Sequence, residues 1–354
     1  MSVAGYAAEA LSALTPSQLA FIQQLPKAEL HAHLNGCIPI STLQHLAKDH
    51  LYSATPSSTS QAVKESLERL TSGVTLNEIH EFFSLFPAIY ELTATPESLA
   101  VATRDVLDLF LSANPDRNGG YPQASYLELR STPKETPRMS RLEYIETVCN
   151  EVERYDREGD RAAVIVSLDR RMTDEVAREV VECAIKLKKA GRRVVGVDLC
   201  GDPLAGDMDS FAKHFQAAKE AGLGVTLHIA ETPDNPVPET LRLLSFKPDR
   251  LGHATFLGSE EKNFVHNSRM CVEICLSSNL LCKTVKSLDE HHIRHYLKHD
   301  HPVVVCTDDT LPFKNSLVGE YALLMAPAPI GLGLSEQEVE RIAKMGMDSR
   351  FRSS

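Results

Sequence analysis

The 354-residue sequence has no extended block of Lys or Arg, and its 37 Lys plus Arg are outnumbered by 48 Asp plus Glu, for a formal charge of −11. That balance excludes a general binder of nucleic-acid backbone, while leaving room for a local basic pocket that takes one phosphate. It also lacks any run of about 18 apolar residues, the length that spans a bilayer. The longest apolar stretch, Tyr321–Leu334, is broken by Pro327 and Pro329. Before Lys27 there is one acid, Glu9, and no cation, so the charged n-region of a secretory signal is missing. A cytoplasmic protein with no membrane partner is the expectation. The eight cysteines (Cys37, Cys149, Cys183, Cys200, Cys271, Cys275, Cys282 and Cys306) include no CxxC pair, and several sit in apolar strand-like runs. Reduced, buried thiols are expected. With 43% hydrophobic and 24% charged residues, 18 Gly and 19 Pro, the chain fits no disordered, collagenous or low-complexity class.

What is present is a regular alternation. Short β-branched runs occur at Ala28–Leu34, Ser125–Ser131, Ala162–Asp169, Val194–Leu199, Gly224–Ala230, Arg250–Ala254, Cys271–Ser277 and Pro302–Thr307. Between most of them lie helical patterns, such as Met139–Glu158, Thr173–Lys189, Ser210–Ala221 and Pro238–Ser245. Alternation of this kind implies parallel strands joined by right-handed crossovers, and eight repeats close a (β/α)8 TIM barrel. An open doubly wound sheet is the runner-up. A dinucleotide-binding version would carry GxGxxG after its first strand, where this chain has His31-Ala32-His33-Leu34-Asn35-Gly36. The expected organisation is one α/β domain over residues 1–354, with residues 35–123 forming a helical lid inserted after the first strand. The lid carries helical patterns near Thr75–Leu92 and Thr95–Ala113 and a polar stretch at Ser53–Thr59. The stretch after the eighth strand should hold two short helices.

In a barrel the C-terminal tips of the strands converge, so polar residues there carry the chemistry. The first strand ends in His31 and His33, which the strand period of two places on one inward face. The fifth ends in His228 with Glu231 just beyond, the sixth carries His253, and the eighth ends in Asp308 and Asp309. Each alone reads as an ordinary core histidine or a turn carboxylate. Taken together, two buried imidazoles on one apolar strand need partners, and three imidazoles with one carboxylate suit zinc better than magnesium or calcium. Two other clusters lose this comparison. Cys271, Cys275 and Cys282 follow the content of a buried strand and its loop, and His291, His295 and His299 read as one solvated helix face.

A single zinc with an open position lowers the pKa of its water toward 7 and supplies hydroxide for addition to an sp² carbon. His253 is placed to orient and deprotonate that water, and Glu231 to protonate a ring nitrogen if burial keeps it acidic. Asp309 is left free to hydrogen-bond substrate or water. Hydrolytic deamination needs this set of roles. Two-metal barrel hydrolases usually add a bridging lysine after the fourth strand, where this chain has Cys200-Gly201-Asp202. One metal ion per chain is expected.

The segments LPKAELHAHLNG, YLELRSTPK, SLDRR, GVDLCGDP, TLHIAE, RLGHATFL, EICLSSN and CTDD give the sequence a resemblance to the adenosine deaminase family, most closely its N6-methyl-AMP deaminase branch. The resemblance runs from Leu25 to Asp309. It implies zinc on His31, His33, His228 and Asp308, Glu231 as proton donor, and His253 beside the attacking water. It further implies that His33 also faces the substrate, that the Gly201 N–H meets the purine, and that Asp309 binds another ring nitrogen. Ser131, Thr132, Pro133 and Lys134 resemble the branch's phosphate-binding turn, although Thr132-Pro133-Lys134 alone would pass for a surface turn. Asp169 resembles a further substrate contact. Asn35 stands where the nucleoside deaminases carry Asp, which removes repulsion against a 5′-phosphate. Tyr90 stands where relatives carry a substrate-contacting His, and the chain ends at Ser354, short of the family's usual last helix. The resemblance implies N6-methyl-AMP as substrate of a monomeric enzyme. The alternatives are an adenosine deaminase acting on the free nucleoside and an inactive purine-binding barrel.

Overall fold

The computed structural model describes residues 3–53, 65, 66, 68, 86–114, 118–157 and 161–351. Eight strands, β1 (Ala28–His33), β2 (Tyr126–Ser131), β3 (Ala162–Asp169), β4 (Val194–Cys200), β5 (Gly224–Ile229), β6 (Arg250–His253), β7 (Cys271–Ile274) and β8 (Val303–Val305), pair in sequence order. Every pair is parallel. The seam between β8 and β1 is closed by the His33 N–H on the Asp308 carbonyl at 3.2 Å. The Glu29 carboxylate supports it, accepting from the His31 N–H at 2.9 Å and the Thr307 N–H at 2.8 Å. The (β/α)8 barrel expected from the alternation is therefore the fold, and the open sheet is not.

Strands buried on both faces read as nearly unbroken apolar runs, and AAVIVSLD of β3 is buried along its whole length. Six strands match their expected runs to within one residue, and two are markedly shorter. β7 stops at Ile274 because Leu276–Leu281 winds into a helix, and β8 is confined to Val303–Val305. The outer helices have strong ends. Ser140 and Glu143 form a reciprocal capping box at the start of Arg141–Tyr155. Asp174–Lys189 opens with two acids and closes with Lys186, Lys188 and Lys189, matching its dipole.

The insertion contributes helices Leu34–Cys37, Ile40–Ser53, Phe86–Leu92 and Pro96–Leu111, the last packed against Arg141–Tyr155. The polar stretch expected at Ser53–Thr59 and the helical pattern from Thr75 up to residue 85 lie outside the described residues, except for Ser53 itself. After β8, Leu317–Met325 and Glu336–Asp348 are the main helices, as expected. Phe351 then closes the floor of the barrel. A Cβ on Gly224 or Gly196 would come within 2.4 or 2.6 Å of its ring, so both positions need glycine. The Arg250 guanidinium lies 3.7 Å from the centroid of the same ring. All eight cysteines are unpaired; Cys183 and Cys282 are half-buried and the other six buried. No helix among the described residues is long and apolar enough to cross a membrane.

Candidate active site

The tips of β1, β5, β6 and β8, with Glu231 just past β5, bring six side chains into one cluster. His33 Nε2 lies 3.2 Å from His228 Nε2 and 3.6 Å from Asp308 Oδ1, and His31 Nε2 lies 3.8 Å from the same oxygen. His253 Nε2 is 3.6 Å from Glu231 Oε1 and 4.0 Å from Asp308 Oδ2. Ligands bound tetrahedrally to zinc at about 2.0–2.1 Å are about 3.3 Å apart, so these separations suit one ion. The sets His31/His33/Asp308 and His31/His228/His253 both have the proximity a metal requires.

The charges beneath the cluster orient its rings. His31 Nδ1–H donates to Glu273 Oε2 at 2.6 Å, and His228 Nδ1–H is shared by Asp198 Oδ1 at 3.0 Å and the Leu199 carbonyl at 2.8 Å. An Nδ1–H held by a carboxylate leaves the Nε2 lone pair facing the cluster, the arrangement typical of metal-bound histidine. His31 Nε2 is buried and has no hydrogen-bond partner. His253 differs, because its Nδ1 has no partner at all. Glu273 and Asp198 are anchored in turn by Arg130, at 2.9 and 3.3 Å. The ligand reading of the sequence did not reach Glu273, Asp198 or Arg130. Their signal was a charge inside an apolar strand, in CVEI, GVDLC and YLELRS.

The electrostatics divide the cluster. Burial, with neighbouring positive charge, pulls His31, His33 and His253 well below the usual imidazole range. Burial works against His228 as well, but Asp198 outweighs it and the net direction is up. Asp198, which burial would raise, is brought down to about 2 by His228 and Arg130. Burial lifts Glu231 to about 7. Asp308 is raised by burial, and Asp309 further by burial and the adjacent Asp308. A cation at the cluster would return Asp308 to its ionised form.

The cavity above is lined by His33, Asn35, Tyr90, Ser131, Thr132, Asp169, Gly201, His228, Glu231, His253, Asp308 and Asp309. Asp309 lies against bare backbone: a Cβ on Gly36 would fall 1.4 Å from its Oδ1, an atom without a partner. Gly201 has φ +100°, and a Cβ there would sit 2.9 Å from Asp169 Oδ1. Asn35 is buried, accepting from Tyr144 Oη at 3.3 Å and Ser131 Oγ at 3.4 Å. Two candidates fall elsewhere. Pro133 is buried outside the lining, and Lys134 holds its ammonium 4.6 Å from the Tyr90 ring centroid, in the cleft next door. The cation on the cavity wall beside Asp169 is Arg171, bonded to both carboxylate oxygens at 2.9 and 2.6 Å. The sequence reading left Arg171 without a role.

The histidines of the β7–β8 connection do not form one solvated face. The helix starts only at Ile293, so His291 precedes it and is buried against Asn279, while His295 and His299 pair on the outside with ring centroids 4.7 Å apart.

Comparison with known proteins agrees with this geometry. The adenosine deaminase family model matches residues 26–354. A protein of Arabidopsis thaliana named N6-mAMP deaminase is 35% identical over 356 residues, covering 94% of each chain. The N6-methyl-AMP deaminase of Homo sapiens is 35% identical over 320 residues, 87% of this chain and 84% of its own. The apo structure of the Arabidopsis thaliana N6-methyl-AMP deaminase superposes with a TM-score of 0.78 at 35% identity over 94% of both chains. A crystal structure of the Arabidopsis protein ADAL complexed with IMP does so with a TM-score of 0.77, at the same identity and coverage. The (β/α)8 fold, the converging His/Asp cluster and the extent of these matches place the chain in the adenosine deaminase family of hydrolytic deaminases.

Proposed function

We propose that this chain hydrolyses N6-methyl-AMP to IMP and methylamine, using one zinc ion held by His31, His33, His228 and Asp308. The observation that carries the metal reading is the pair of carboxylate-tethered imidazoles, His31 on Glu273 and His228 on Asp198, whose Nε2 atoms face Asp308 and His33. His253 lacks such a tether and is assigned to proton transfer instead. The substrate reading is supported by the names of the relatives and by the neutral Asn35 on the cavity wall. A bound zinc supplies hydroxide at neutral pH.

The residues of the chain handle the protons. Neutral His253 accepts one from the attacking water as oxygen joins C6, and Glu231, lifted to about 7, gives one to a purine ring nitrogen. The C6–N bond then breaks. His253 returns its proton to the departing methylamine, and Glu231 recovers one from the new C6 hydroxyl, leaving the 6-oxo purine. The Gly201 N–H and the Asp309 carboxyl, whose pKa burial and Asp308 raise, bond other ring nitrogens. Ser131, Thr132 and Asn35 serve the 5′ end together with Lys134, which must leave the Tyr90 face to reach it. In this reading the protein is a cytoplasmic monomer, one barrel domain whose 35–123 insertion shields the mouth through Tyr90. The test is turnover of N6-methyl-AMP, AMP and adenosine in parallel by purified protein. N6-methyl-AMP should be converted to IMP with a kcat/KM about 10- to 150-fold above its nucleoside, the value of one charge-assisted hydrogen bond. Equal or better turnover of adenosine would make it a nucleoside deaminase, and no turnover of any would leave a purine-binding barrel.

A further inference from the structure

The backbone at the tip of β6 is unusual. His253 has φ +58° and Ala254 φ +49°, two successive non-glycine residues in the left-handed region. L-residues enter that region singly and at a cost, so a pair of them needs external support. Part of it comes from the Ala254 N–H, which donates to the Ile229 carbonyl at 3.1 Å and the Gly252 carbonyl at 2.8 Å. The His253 carbonyl is turned away from the sheet and is met by His292 Nε2 at 2.8 Å.

We propose that His292 is a positioning residue for His253: its Nε2–H clamps the His253 carbonyl and holds the left-handed turn that aims the imidazole at Glu231 and Asp308. The proposal deepens the deaminase reading and rests on it for the role of His253.

Three features make His292 suited to this. Its ring stacks on His291, with centroids 4.3 Å apart and planes 19° from parallel. His291 is itself fixed at both nitrogens, accepting from the Ile293 N–H at 3.1 Å and donating to Asn279 Oδ1 at 3.1 Å. Asn279 then donates to Thr255 Oγ1 at 3.3 Å, two residues past His253. The β7–β8 connection thus grips the β6 tip at two points, the His253 carbonyl and the Thr255 hydroxyl. Burial, helped by Lys262, lowers His292 to about 4, so near neutral pH it is an uncharged donor with its single proton on Nε2. Its Nδ1 has no partner and anchors nothing else.

The test compares His292→Gln, whose amide NH2 can reach where Nε2 stood, with His292→Asn, whose amide stops short. Acid–base catalysis contributes about 10²- to 10⁴-fold, so a misaimed His253 should cost His292→Asn about 10- to 100-fold in kcat, with KM within about threefold. His292→Gln should stay within about fivefold of wild type. The His253 ring resonances in isotopically labelled protein should shift in His292→Asn and keep their wild-type positions in His292→Gln. This readout needs no turnover, so it tests the clamp even if wild type fails to deaminate, an outcome that would sink the deaminase reading alone. Equal kcat losses in both variants, a KM rise with kcat intact, or an unmoved His253 signal in His292→Asn would overturn the proposal.

Discussion

Arg250 at the floor of the barrel and His31 near its mouth are both buried to 1% exposure or less, yet they are provided for differently. Arg250 Nε donates to Glu273 Oε1 at 2.8 Å, Nη1 to the Ser349 carbonyl at 2.9 Å and Nη2 to Glu128 Oε2 at 2.6 Å. The other Glu128 oxygen accepts from the Phe351 N–H at 2.6 Å and Tyr126 Oη at 3.2 Å. At the mouth, His31 Nε2, His253 Nδ1 and Asp309 Oδ1 are buried with no hydrogen-bond partner. Natural folds pair most of their buried polar atoms, and a buried Nε2 without a hydrogen bond, 3.8 Å from Asp308, is suited to a further ligand. Glu273 joins the two regions, with one oxygen on Arg250 and the other on His31 and Arg130. The floor is a structural ion network, and through Glu273 it also sets the tautomer of His31.

Breaking the floor should cost the most stability. Arg250→Leu takes a buried cation from Glu273 and Glu128, and urea denaturation should show a loss of about 3–5 kcal/mol. A loss under about 1 kcal/mol would show that the network relaxes without its cation. Breaking the mouth should instead spare stability and remove chemistry. Glu231→Gln keeps shape but has no acidic proton, so kcat should fall by about 10²-fold or more, with zinc content and KM retained. A KM rise at constant kcat would make Glu231 a binding residue only.

Smaller effects sharpen the contrast. Asn35→Asp restores a carboxylate to the cavity wall and should erase most of the preference for monophosphate over nucleoside, about 10- to 150-fold in the ratio of kcat/KM values. An unchanged ratio would remove Asn35 from phosphate selection. Glu320 is a buried carboxylate with neutral donors, the Ser277 N–H at 3.1 Å and Asn315 Nδ2 at 2.9 Å, and burial raises it to about 7 from 4.5. Its folded pKa exceeds the unfolded one, so its contribution is complete below pH 4.5 and is lost as pH rises through 7. Glu320→Gln should flatten the stability–pH curve in that window by up to about 1.4 kcal/mol per pH unit. Parallel curves for variant and wild type would show that Glu320 keeps an ordinary pKa.

The barrel was legible because its strands are buried on both faces. The run read as Ala162–Asp169 is β3 to the residue, whereas β7 and β8 were overread, apolar content continuing past the ladder into Leu276–Leu281 and Cys306. The histidines and carboxylates of the mouth were legible because each falls at a strand tip, where the topology makes them converge. Their supports were not, because Glu273 lies 242 residues from His31, and no local spacing connects them. Lys134 and Arg171 show the same limit. Both follow strand ends, and which of two cations faces the cavity depends on Tyr90 and Asp169, contacts that only the folded chain brings together.

Elemental analysis of the purified protein tests most directly whether His31, His33, His228 and Asp308 hold a metal. Wild type should carry about one zinc per chain, and His31→Ala/His33→Ala should lose it while Arg250-dependent stability persists. Two metals per chain, or a double variant that keeps both its zinc and its activity, would contradict the assignment.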